Sequence, residues 1–319
     1  MVEYEPIEIR GLFRSHSHLP IWELLDQAGI WRQVGIEAAR LEYCASPPEA
    51  EAQLFDGKID LISGNHLTPY ALVAAGKPIV CLASPSNSVR ARLVSRQPIS
   101  SLAELRGRRI ADLAREGRVG GFNHLRGNHM LYVMRAGLAL NQVQWVELAE
   151  EMSGSFRKAQ FETLQSGRAD AAFITGATED YERAGLHVLK LEPLPMVNGP
   201  TLTTSIRALQ RKDRLGERLV KAMVLAIHFA QTRRGETEKI LEGLRLRVPE
   251  ARGVGYQSLA RMPIRPYPEL QAIKNAYELC CMKAPAAREL SPMALWDIHY
   301  LRELDDAGFI DRLYRDHRG

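Results

Sequence analysis

The chain of 319 residues has no run of about 18 apolar residues, the length a membrane-spanning helix needs. Its start, Met1-Val-Glu-Tyr-Glu-Pro6, is acidic, whereas a secretory leader has a basic start and an apolar core. The expectation is a cytoplasmic protein as the chain is written, or a periplasmic one if a leader is missing from it. Cysteine is scarce: Cys44, Cys81, Cys280 and Cys281 are the four, with no CxxC spacing, and the adjacent pair cannot easily close on itself. They read as free thiols that behave as small apolar side chains. Neither sign of charge dominates, since 42 Lys and Arg stand against 38 Asp and Glu, spread along the chain. Without a basic helix interleaved with aromatics, nucleic acid is excluded as a partner, and so is direct membrane insertion.

Several signatures of chemistry are also missing. There is no Gly-x-Ser-x-Gly nucleophile elbow. No Gly-Lys-Ser/Thr follows a glycine-rich loop, and no Gly-x-Gly-x-x-Gly follows the first strand. No cofactor is expected. His16 and His18 are two apart, and His124 and His129 are five apart, about 140° around a helix, so neither pair shares a helical face. No metal site is expected either, although a long-range one including His66 is geometrically conceivable.

What is present is ordinary globular composition, 45% apolar and 25% charged. The length suits two lobes. Strands, polar loops and short helices alternate. Residues 7–13 form a strand, 14–18 a polar loop, and a helix from Pro20 places Ile21, Leu24, Leu25 and Ala28 at helical spacing. A second strand spans 35–43. The short apolar run at 59–63 ends on Ser63-Gly64-Asn65-His66, and another strand spans 79–83. This alternation predicts a mostly parallel sheet with helices on both faces, whose ligand site lies at the carboxyl ends of the strands. Residues 169–175 repeat the pattern of 59–63: helix, glycine, basic residue, one apolar residue, aspartate, apolar strand, small polar end. Residues 213–230 predict a long amphipathic helix with Leu215, Leu219, Met223, Ile227 and Ala230 on one face.

Residues 98–111 read Pro-Ile-Ser-Ser-Leu-Ala-Glu-Leu-Arg-Gly-Arg-Arg-Ile-Ala. Ser100 or Ser101 with Glu104 has the spacing of a capping box, and Gly107 ends the short helix. The phrase resembles the interdomain crossing of type II periplasmic-binding-protein-like domains, in the SsuA/THI5 (NMT1-like) branch of ABC transporter substrate-binding proteins. The closing stretch 296–311 resembles the last helix and turn of the same family. The resemblance implies an α/β, two-lobe type II periplasmic-binding-protein fold, each lobe a mostly parallel sheet flanked by helices, with the ligand cleft between lobes. Residues 1–92 would open lobe one, 93–195 would form lobe two, and 196–319 would return to lobe one and add the C-terminal helices.

On that fold the strand-end loops supply the candidate ligand contacts. In lobe one they are Ser15, His16, His18, Ser63, Gly64, Asn65, His66 and Ser84; in lobe two, Gly120, Gly121, Asn123, His124, Arg126, Ser153, Ser155, Thr175 and Gly176. Glycines before the helix at 124 leave backbone N–H groups for an anion, and Arg126 can add a charge-assisted contact. His16, His18 and His66 are the candidates for general acid or base.

Two functions remain open. One is a solute-binding protein that closes on a small anionic or aromatic molecule, with ABC transporter membrane subunits as partners. The other is a cytoplasmic enzyme on the same fold, a decarboxylase, a lyase or a pyrimidine-synthase-like protein. The loop after the first strand holds no cysteine, which departs from the thiol-dependent enzymes of the fold, and Ile62 stands where the pyrimidine synthases have lysine.

Overall fold

The computed structural model of the chain describes residues 5–113, 122–148, 155–253 and 255–315. Among these are the strands β1 (Ile7–Phe13), β2 (Ile36–Tyr43), β3 (Leu61–Ser63), β4 (Ile79–Ala83), β5 (Ser88–Val89), β6 (Arg92–Ser95), β7 (Arg109–Leu113), β8 (Gln144–Leu148), β9 (Ala171–Ile174), β10 (His187–Lys190), β11 (Leu194–Pro195) and β12 (Leu202–Ser205). The chain divides into two compact units: unit 1 comprises residues 1–87 and 197–319, and unit 2 comprises 88–196.

Unit 1 holds a five-stranded sheet of order β2-β1-β3-β12-β4. β1 runs parallel to β2 and β3, while β12 is antiparallel to both of its neighbours. Unit 2 holds a second five-stranded sheet, β10-β6-β9-β7-β8, in which β7 is parallel to β8 and β9, and β6 is antiparallel to β9 and β10. Reversed, this order is the first one over again, with one antiparallel strand in the fourth place. A small antiparallel pair, β5 with β11, completes unit 2.

The central strands are apolar runs because both of their faces are covered. In unit 1, Ile9, Leu61, Val80 and Leu82 pack with the helices Leu19–Gln27 and Leu215–Thr232. The predicted face of the long helix, Leu215, Leu219, Met223, Ile227 and Ala230, is buried. Each large apolar side chain so buried contributes about 1.5–3 kcal/mol. Unit 2 has its own core of Val94, Ala111, Leu148, Leu164, Ala172, Ile174 and Tyr181.

Residues 98–111 lie wholly within unit 2, after β5 and β6. Their local chemistry is as the sequence suggests: a 3-10 turn over Leu102–Leu105, with Glu104 accepting from the Ser100 and Ser101 backbone N–H groups at 3.0 Å each. The Ser100 hydroxyl, which donates to the same oxygen at 2.6 Å, and then these backbone bonds hold the Glu104 carboxyl below its usual range. The four cysteines are buried and free. Among the described residues, no helix is long and apolar enough to cross a membrane.

Candidate functional site

The carboxyl ends of β1, β2, β3 and β4 and the start of β12 meet at one edge of the unit 1 sheet, because the first four strands share a direction and β12 opposes them. Ser63, at the end of the central β3, ties this edge together. Its hydroxyl oxygen accepts from Trp22 Nε1 at 2.7 Å and lies 3.2 Å from His18 Nδ1, which is also 3.1 Å from the Ser63 carbonyl. The same carbonyl accepts the Arg14 backbone N–H at 3.1 Å. Ser63 is fully buried, so its hydroxyl organises the loop after β1 and is not presented to solvent.

Gly64 follows with φ +96°, a conformation that favours glycine. A Cβ there would stand 2.8 Å from His18 Cε1, so the close approach of the two loops also requires glycine. Its N–H donates to the Thr201 carbonyl at 2.8 Å, and its carbonyl accepts from the Thr203 hydroxyl at 2.6 Å. Asn65 adopts φ +67° and is held by Glu51, whose Oε1 accepts from Asn65 Nδ2 at 2.9 Å and from the Thr68 hydroxyl at 2.5 Å. His66 is buried, with Nδ1 3.3 Å from the Thr201 hydroxyl. Ser84 is buried too, and its hydroxyl donates to the Ser86 carbonyl to close a turn.

Ser15 caps the short turn His16–His18, its Oγ accepting from the Ser17 N–H. Of the three candidate histidines only His16 keeps appreciable exposure. It stacks on Tyr43 with ring centres 4.3 Å apart and meets the edge of Phe13 at 5.7 Å. His18 and His66 are buried, beside Ser63 and Thr201 respectively. Among the described residues, no group of three or more His, Cys, Asp or Glu could hold a metal ion.

In unit 2, Asn123 caps the helix His124–Arg135, its side-chain oxygen accepting the Arg126 N–H at 2.8 Å. Arg126, expected to add a charge-assisted anion contact, is engaged inside unit 2. It is 3% exposed, lies 3.8 Å over the Trp145 ring, donates to the Leu113 carbonyl at 2.9 Å, and sits 3.8 Å from Asp112. The physical reason is the fully buried Asp112 carboxylate, which needs a cation nearby. His129 Nδ1 lies 2.8 Å from the same carboxylate, and the imidazole stacks on Phe173. Its Nε2 is buried, with no hydrogen-bond partner among the described residues. His124 is half-buried on the first turn of this helix. Thr175 and Gly176 follow β9 as an exposed loop, where Gly176 takes φ +87° and its carbonyl accepts from Arg92. Gly120, Gly121 and Ser153 lie outside the described residues, as does the side chain of Ser155, the first residue of the helix Ser155–Gln165.

Unit 2 also carries a surface groove of about 370 Å³ lined by Arg157, Lys158, Phe161, Asp180 and Tyr181. Its cations are engaged: Arg157 donates to the Ala177 carbonyl, and Lys158 pairs with Glu162 at 3.7 Å. The unit 1 edge is the stronger candidate, because strand ends, buried polar anchors and partly exposed rings coincide there.

Sequence reasoning passed over Arg14, Tyr43 and Glu51 at this edge. The available signal was position: Arg14 is the first residue after an apolar strand, beside a Ser-His-Ser-His run.

No family model matches the chain, and no curated protein matches its sequence. Solved structures do. A sulfonate ABC transporter periplasmic binding protein SsuA from Methylobacillus flagellatus superposes with a TM-score of 0.66 at 15% identity, covering 96% of each chain. The periplasmic aliphatic sulphonate binding protein SsuA from Escherichia coli gives 0.62 at 16% identity, covering 91% of this chain and 99% of that one. The desulfurization enzyme DSZB gives 0.61 at 14% identity, covering 94% and 99%. The chain has the α/β fold of periplasmic binding proteins, a fold that carries both binders and at least one enzyme.

Proposed function

We propose that the chain is a solute-binding protein that takes a small anionic or aromatic molecule at its strand-end loops and presents it to ABC transporter membrane subunits. The reading is supported by the construction of the unit 1 edge. Ser63, Gly64, Asn65 and Glu51 fix the loops through hydrogen bonds among themselves and with His18, Thr68, Thr201 and Thr203. Such a preformed edge lowers the ordering cost of binding. The fold neighbours titled as sulfonate-binding proteins agree with it. Import would place the protein in the periplasm.

A thermal-shift screen followed by calorimetry tests the reading, using alkanesulfonates, aromatic sulfonates and aromatic carboxylates. One of these classes should raise the melting temperature and be recovered chemically unchanged. No shift from any class would count against the proposal.

The enzyme reading keeps one observation in its favour. His16 combines partial exposure at a strand end with an imidazole, a side chain that can both donate and accept a hydrogen bond. A product appearing with wild-type protein and vanishing with His16→Ala would replace the binding reading.

A further inference from the structure

We infer that Arg14 is the anion receptor of the unit 1 edge, its guanidinium pairing with the carboxylate or sulfonate of a small aromatic acid whose ring lies against His16 and Tyr43. The inference rests on the solute-binding reading and narrows its ligand class.

The backbone of Arg14 is fixed at the end of β1 by its bond to Ser63, and its stem passes over Gly64, where a Cβ would stand 3.3 Å from Arg14 Cγ. Nη1 donates to the Cys44 carbonyl at 2.6 Å, which locks one side of the fork. A guanidinium carries five N–H donors, so donors remain for a ligand.

Arg14 also differs in its pairing from several unit 1 arginines that hold a carboxylate: the exposed Arg211 meets Asp60 at 2.7 Å, the fully buried Arg218 meets Asp213 at 2.6 Å, and the partly buried Arg265 meets Asp305 at 2.7 Å. Among the described residues, Arg14 has no carboxylate within salt-bridge distance. Glu51 acts on it only from farther away and is itself occupied by Asn65 and Thr68. Burial depresses the Arg14 pKa, the penalty of a half-desolvated charge without a paired anion. A ligand carboxylate or sulfonate would remove that penalty and match the planar fork with two parallel hydrogen bonds.

The aromatic half of the assignment follows from the neighbours. Tyr43 directly precedes Cys44, whose carbonyl Arg14 holds, and its hydroxyl is among the groups acting on the guanidinium. Tyr43 is 38% exposed and its ring centre lies 4.3 Å from that of the partly exposed His16, which sets two aromatic rings beside the cation. Offset stacking of a further ring adds attraction beyond area burial alone.

The test is calorimetry on the full chain with two acids, benzenesulfonate and benzoate, and their neutral counterparts, benzenesulfonamide and benzamide. Wild-type protein should bind at least one acid more tightly than its neutral counterpart. Arg14→Gln should weaken that acid by at least about tenfold, the usual worth of a charge-assisted pair, and leave the neutral probe unchanged. Should the Gln variant not fold, Arg14→Lys keeps the stem and charge but not the fork, and a loss of about fivefold is expected. Equal acid affinity in the wild type and a folded variant would overturn the role of Arg14 and leave the binding reading standing. So would wild-type binding of the neutral probes alone. Silence from all four probes would overturn the aromatic-acid assignment at Arg14, while the alkanesulfonate arm of the thermal-shift screen still decides the binding reading.

Discussion

Asp60 and Asp170 occupy the same place in the two units. Each precedes the central strand of its sheet and accepts, at 2.9 Å, the backbone N–H of an arginine in the neighbouring parallel strand, Arg10 for Asp60 and Arg109 for Asp170. Each also donates its own N–H to that arginine's carbonyl, at 2.7 and 2.8 Å. The shared carboxylate sets the register of β1 against β3 and of β7 against β9. The charge partners differ: Asp60 is buried and holds Arg211 and Lys212, both at 2.7 Å, whereas Asp170 is more exposed and, among the described residues, pairs with Arg109 at 2.8 Å.

That difference yields unequal costs. Asp60→Ala leaves two cations and a strand N–H without their buried acceptor, and about 3 kcal/mol of unit 1 stability should be lost. Asp170→Ala, nearer solvent, should cost about 1 kcal/mol. Urea unfolding followed by hydrogen exchange at each sheet separates the two units. Equal losses would contradict the assigned asymmetry.

Asp170 also gives a pH dependence. Its pKa lies below the ordinary carboxylate value, chiefly because Arg109 bonds its side chain. The unfolded chain therefore takes up this proton first as pH falls. The contribution is complete above the unfolded value, about 4, and is lost as pH drops through the lower folded value. The Asp170→Asn protein should lack this part of the acid dependence, which a series of unfolding curves between about pH 6 and pH 3 would reveal.

The aspartate pair shows how far the residues could be read directly. The segments 59–63 and 169–175 declare their equivalence in sequence because a short buried strand after a glycine turn tolerates few residue types. Unit limits are harder. The sequence places lobe two at 93–195, and the compact unit spans 88–196, its ends formed by the two-residue strands β5 and β11, too short to leave a periodic signal. Site chemistry is harder still. Arg126 and Arg14 look alike as basic residues near strand ends, yet Arg126 is claimed by Asp112, 14 positions earlier in sequence, and Arg14 by no carboxylate among the described residues. That distinction depends on three-dimensional pairing, which spacing does not encode.

Gly64 gives a direct check on the unit 1 edge. Ala at this position must adopt φ +96° and place Cβ against His18 Cε1. The strain and the displaced imidazole should together cost about 2–3 kcal/mol. His18 Nδ1 would move from Ser63, so ligand affinity should fall as well. A Gly64→Ala protein with wild-type melting temperature and affinity would show that the two loops are not tightly coupled.

The histidines separate framework from function. His18→Ala removes a buried ring bonded at Ser63 and should destabilise unit 1 by about 2 kcal/mol. His16→Ala removes a partly exposed stack on Tyr43 and should change stability by less than about 1 kcal/mol while weakening any aromatic ligand. Differential scanning calorimetry with parallel ligand titration reads both quantities, and the reverse ranking would move the framework role to His16.

The interior of unit 2 offers a test in which two substitutions should do less damage than one. Asp112 lies fully buried between His129 and Arg126, so Asp112→Leu takes a carboxylate away from the buried Arg126 guanidinium. The loss should be about 3–5 kcal/mol, the range for breaking one side of a buried pair. Adding Arg126→Met removes the second member of the pair and keeps an apolar stem over Trp145, so about half of the loss should return. The His129 ring, stacked on Phe173, keeps its packing in both proteins. A double variant no more stable than the single one, measured by urea unfolding of unit 2, would mean that the carboxylate acts mainly through His129 and the Leu113 N–H, which donates to it at 2.8 Å.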